Sequence, residues 1–340
     1  GANIIVRHRN RVAIPMRLVR QSRSSRPFDR GKENPECSKG DTMSHPRKLL
    51  LLVALATLAS PMALAKEGPD QYPNGAENFL AGALPPPGNY FINYLGYYDG
   101  EYRDNNGDKV PGLQVNAVFD ALRYIYVSNH QILGGSWGMH AIVPFVHQSL
   151  DTPFPTIGNG DTFGLGDIII GPLIIGWHFP PEWHVTVGLD ISLPTGKYDQ
   201  NDPTNSIGAN YYSFEPIFAF TYLSQGGFEV SAKLMYNIKT RNDDTDYESG
   251  DEFHMDYLIG QHFGPWAVGL GGYYLKQTTD DTLNGQKVGP DGNRGQVLAL
   301  GPAVKYDYQG MSFVGAWDYE TDVENRFRGN KFFFKFVAAF

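Results

Sequence analysis

Between Trp183 and Leu193 apolar and polar residues alternate without a break. Trp183, Val185, Val187, Leu189, Ile191 and Leu193 are interleaved with His184, Thr186, Gly188, Asp190 and Ser192. A helix would scatter those apolar side chains around its axis, whereas a strand lines them along one face. The length also suits a tilted strand crossing a bilayer, which takes about 9–11 residues. The same period recurs in 212–222, 228–238 and 253–260, and extending it gives twelve expected strands. They span 89–99, 113–127, 136–149, 164–178, 183–194, 210–223, 227–239, 252–262, 266–276, 296–307, 311–320 and 331–340.

The connections alternate in character. Segments 99–112, 150–163, 195–209, 240–251, 277–295 and 321–330 are long, polar and rich in Asp, Asn and Gly, and those at 128–135, 179–182, 224–226, 263–265 and 308–310 are shorter. Long loops on one side and short turns on the other predict an all-β fold: a closed antiparallel transmembrane β-barrel in the bacterial outer membrane. Its long loops would be extracellular and its short turns periplasmic. Tyr and Phe crowd the expected strand ends, where aromatic girdles sit at the membrane interfaces. Phe332, Phe334, Phe336 and Phe340 form a terminal strand of the kind the outer-membrane assembly machinery recognises. A secreted β-sandwich or jelly roll would also alternate, but it would bury these faces against a second sheet.

The front of the chain reads differently. Residues 1–42 are basic and Arg- and Ser-rich, and are read as an over-extended start without structure; they contain the only cysteine, Cys37. Residues 43–65 carry Arg47 and Lys48, a short greasy run and Ala63-Leu64-Ala65, the pattern of a secretory signal peptide cut after Ala65. That run is too short to span a bilayer as a helix. The remainder divides into 66–88, an N-terminal plug or linker, and 89–340, the barrel. From 66 onward there are 32 Asp and Glu against 16 Lys and Arg, a surplus that argues against nucleic acid as a partner. Acidic loop runs such as 243–248 and 280–281 could bridge lipopolysaccharide through divalent cations, although such runs are more often solvated loop tips.

Two stretches, 166–176 and 137–146, are apolar on both faces. One face of each meets lipid, so the other lines the lumen with hydrocarbon, through packing on an internal plug or as a greasy passage. His184, Asp190, Glu215, Lys233, His254 and Asp256 fall on the less apolar faces and are expected to line the channel. They read either as an ion-pair network holding the cross-section or as a polar ladder for a hydroxyl or carboxylate. His254 and Asp256 share a face, as in a hydrolytic triad, but Ser231 and Ser213 are only generic nucleophiles and no G-x-S-x-G occurs. No spacing supports a metal, so no catalytic residue, metal or cofactor is expected. Phe79, Leu80 and Leu84 precede Pro85-Pro86-Pro87 and are costly to leave in water, which favours a plug over a polyproline linker.

The segments GAENFLAGALPPPG (75–88), FEP (214–216), GFEVSAKLMY (227–236), EFHMDY (252–257) and VGPDGNRG (288–295) resemble a bacterial family of outer-membrane proteins of the meta-pathway of phenol degradation. The resemblance spans essentially all of 66–340. It implies an outer-membrane channel for hydrophobic or aromatic small molecules. A closed structural or surface-interaction barrel and a barrel hydrolase are the competing readings.

Overall fold

The structure, a computed structural model, describes residues 67–180 and 182–340. The expected start segment and signal peptide lie outside the described residues. The chain forms strands β1 (Gly88–Arg103), β2 (Lys109–Ile132), β3 (Gly135–Asp151), β4 (Gly160–Leu165), β5 (Ile169–Phe179), β6 (Trp183–Ser192), β7 (Ser213–Leu223) and β8 (Phe228–Lys239). There follow β9 (Tyr247–Glu248), β10 (Glu252–Phe263), β11 (Trp266–Gln277), β12 (Thr282–Leu283), β13 (Gln286–Lys287), β14 (Gln296–Tyr308), β15 (Met311–Glu324) and β16 (Arg326–Ala339). Twelve of them close an antiparallel barrel. β1 and β16 complete the ring, pairing continuously from Tyr90↔Ala339 to Arg103↔Arg326. With no free edge in the ring, the wall satisfies its own backbone groups, which is what lets a sheet sit in hydrocarbon.

The alternation sets the two faces. Leu173, Phe218, Ile259, Leu270, Val304 and Phe334 are exposed on the outer face, while Asp190, Glu215, Lys233, His254 and Asp256 are buried inside. Tight turns close the short-turn end: Leu133-Gly134 and Gln309-Gly310 both hold two successive positive φ angles, the primed geometry that matches strand twist.

Several expected boundaries shift. The segment 164–178 is not one strand. Pairing with β3 passes from β4 (Phe145↔Leu165) to β5 (Ile142↔Ile169) across a break at Gly166-Asp167-Ile168. Asp167 causes the break by turning inward, where its carboxylate accepts the Gly196 and Ala209 amides, each at 2.9 Å. The loop can fold in this far because Gly196 and Gly208 meet backbone to backbone; a Cβ on Gly196 would lie 2.6 Å from the Gly208 Cα. The expected long loop 321–330 is also absent. β15 and β16 run to Asn325, which turns the chain at φ 49°. The segment is polar because strands that project beyond a bilayer need no apolar outer face, so composition alone disguised it as a loop. Within the remaining loops, β9, β12 and β13 make a small separate sheet, and Pro203–Asn205 forms a 3-10 turn. Acidic loop residues find local partners: Asp280 pairs with Arg294 at 2.7 Å, and Asp281 accepts from the Tyr247 hydroxyl and the Gly250 amide.

Candidate functional site

Residues 67–87 run through the inside of the barrel from the loop end to the turn end. At the loop end the Glu67 amide donates to Ser249 Oγ at 3.1 Å, and its carboxylate accepts from Asn242 and Thr245. Gln71 donates to Asp167 at 2.8 Å, tying the inner segment to the break in the wall. Midway, Asp256 receives three donors: the Tyr72 hydroxyl at 2.7 Å, the Gly75 amide at 2.8 Å and the Glu77 amide at 3.0 Å. Gly75 is required here. It holds φ +90°, and a Cβ would fall 2.4 Å from Asp318 Oδ2.

Glu77 bears the segment's central charge. It accepts from Tyr94 and Arg123, each at 2.7 Å, and from Lys335 at 3.1 Å. Its carboxylate is thus ion-paired to two cations of the wall at once. At the turn end the Leu80 amide donates to Glu229 and the Gly82 amide to Thr221 Oγ1, while Thr186 donates to the Gly82 carbonyl at 2.9 Å. Phe79 packs with Leu258, Ala267, Ala303 and Val314. Leu84 joins a cluster with Ile92, Ile125, Ile142, Ile169 and Ile174. The inner face of the doubly apolar 166–176 stretch therefore meets this segment. Leu80, by contrast, is only half-buried and holds φ 59°.

Five of the six expected lining residues fall into three groups, and the sixth, Lys233, lines the cavity described below. Asp190 bonds to His140 at 2.7 Å, and Glu215 bonds to His254 at 3.0 Å and to Asn237 at 2.9 Å. Asp256 and the other ring nitrogen of His254 hold the inner segment, the latter through Asn74 at 2.8 Å. His184 stands apart at the turn end, its Nδ1 2.6 Å from His178 Nδ1. His254 and Asp256 thus share a face without touching each other. Ser231 bonds to Glu229 and Thr221, and Ser213 to Gln71.

Between the inner segment and the wall, toward the loop end, lies a cavity of about 370 Å³. Its apolar wall comes from alternate residues, Val115, Ala117, Phe119 and Ala121 of β2 and Ile142, Pro144 and Val146 of β3. Polar groups, among them Gln71, Glu77, Arg123 and Lys233, line it as well.

The family model described as putative MetA-pathway of phenol degradation matches residues 100–336. The chain belongs to this family. No curated protein sequence matches it. Among solved structures, the COG4313 outer membrane channel from Pseudomonas putida F1 superposes with a TM-score of 0.66 at 16% identity, over 76% of this chain and 97% of that one. At that identity the likeness concerns the fold: this phenol-pathway family member is a bacterial outer-membrane β-barrel. The CymD monoaromatic hydrocarbon channel resembles it more loosely, with a TM-score of 0.40 at 10% identity over 75% of this chain and 89% of that one.

Sequence reasoning missed Glu77, Arg123, His140, Asp167 and Glu229. Arg123 and His140 lie within the expected strands 113–127 and 136–149, and Glu229 within the alternating stretch 228–238, so a period of two offered a signal for all three. Glu77 and Asp167 offered none. Neither lies on an alternating strand, and their partners are far away in the chain.

Proposed function

We propose that this barrel takes up small hydrophobic or aromatic molecules across the outer membrane, and that residues 67–87 are its plug. The observation that carries the reading is the cavity inside a closed barrel, walled by alternate apolar residues of β2 and β3. A water-filled porin would place polar side chains at those positions. Pockets that bury small ligands are mostly apolar with a few placed polar groups, and this lumen has that composition. Membership of a family described by phenol degradation points the same way. His140, Asp190, Glu215 and His254 set the barrel's cross-section, while Asp256, Glu77 and Glu229 seat the plug. Cells lacking the protein should grow more slowly on a limiting aromatic carbon source and normally on sugars. Removing residues 67–87 should raise single-channel conductance and make permeation less selective. Unchanged uptake among wild type, knockout and deletion would leave a closed structural barrel as the better account.

A further inference from the structure

Lys233 is the one lumen charge of the expected set whose head group the fold leaves open. Its side chain is buried, yet it lines the cavity. Its ammonium lies 4.3 Å from the centroid of the Tyr72 ring and makes no hydrogen bond or close ion pair among the described residues. The neighbouring cations are committed. Arg123 is taken by Glu77, Tyr94 and His140, and Lys335 by Glu77 and the Ala76 carbonyl. An ammonium that is buried but open to a cavity is a donor in search of an acceptor, since a π face satisfies its charge without using its N–H groups.

We propose that the cavity recognises a neutral hydroxyl on a hydrocarbon body, with Lys233 as the residue that reads the hydroxyl. The inference rests on the uptake reading above. The hydroxyl oxygen would accept from Lys233 Nζ, and the body would lie on the Phe119, Ala121, Ile142 and Val146 wall. The charge around the ammonium decides between possible head groups. Six carboxylates line the cavity, against four cations, Arg123, Lys233, Arg326 and Lys331. A carboxylate ligand would bring a further anion into a region where fixed negative groups already outnumber these cations. A hydroxyl adds no charge, and it can donate as well as accept. A bare hydrocarbon would cover the ammonium and leave it unbonded, the arrangement by which polar sites reject ligands that lack the matching group.

The test uses the full chain, plug included, in lipid nanodiscs at pH 7, with 4-hexylphenol, 4-hexylbenzoate and hexylbenzene titrated calorimetrically. Wild type should bind the phenol at least about tenfold more tightly than either analogue, the order expected for one hydrogen bond to a charged group. Lys233→Met should bring the phenol down to the level of hexylbenzene. Equal binding of phenol and hydrocarbon by wild type, tightest binding of the benzoate, or a preference that survives Lys233→Met would each overturn the proposal. Binding of none of the three would bring down the uptake reading itself. If Lys233→Met fails the heat-shift gel test for a folded barrel, the wild-type ranking of the three probes decides alone.

Discussion

At the scale of single residues, Asp256 and Glu229 of the wall take donors from the plug, and Glu77 of the plug takes donors from the wall. Asp256→Ala removes the acceptor of one hydroxyl and two backbone amides at once, and should weaken plug docking by about 3 kcal/mol. Hydrogen exchange at the Gly75 and Glu77 amides should speed up accordingly, while the strand amides stay protected. Glu77→Gln tests the charge instead. A carboxylate paired with Arg123 and Lys335 keeps its charge throughout the range above the ordinary carboxylate value. The difference in plug protection between wild type and Glu77→Gln should therefore be the same at pH 7 and pH 5.5. A difference that shrinks over that window would show that Glu77 is not the ionised partner of Arg123 and Lys335.

At the scale of elements, each strand has a lipid side and a plug side, and substitutions on the two should fail differently. Ile259→Arg puts a charge on the exposed outer face of β10 and should cost about 2–4 kcal/mol if it lies at the bilayer midplane, measured by denaturant titration in vesicles. Its neighbour Leu258 faces in and packs on Phe79. Leu258→Ala should cost about 2–5 kcal/mol in the whole protein. That cost should shrink when residues 67–87 are absent, because the contact it breaks is gone already. The alternation that assigns these faces was legible in the sequence, since one buried face forces a period of two. What escaped was whatever depends on a partner distant in the chain. Nothing local marks Asn325 as a two-strand turn rather than a loop residue, and nothing local tells that Asp167 will leave the wall to hold Gln71 and the 195–209 loop. The six lining candidates could be named because they sit on strands, where a period of two assigns a face. Glu77 was not, because the plug has no period to reveal which side chain meets which wall.

At the scale of the molecule, wall and plug are separable in principle. The ring closes through its own ladder from β1 to β16, so a protein without residues 67–87 should still insert and show the compact band of a folded barrel on unheated gels. It should also melt at lower temperature, because Asp256 and Glu229 lose donors while keeping their buried positions. A deletion that melts with the wild type would mean lumen water replaces the plug at no cost.

The direction in which residues 67–87 lie has a further consequence. Glu67 is fastened at the loop end and Gly88 begins β1 at the turn end. The chain is thus a thread passed through a ring that its own continuation builds. A thread can be drawn through such a ring only if its leading end is slender, or if the ring shuts after the thread is in place. Any folded domain joined ahead of Glu67 would emerge on the loop side, opposite the end from which β1 begins. Where the ring shuts last, the segment is laid along the inside before β1 is sealed to β16.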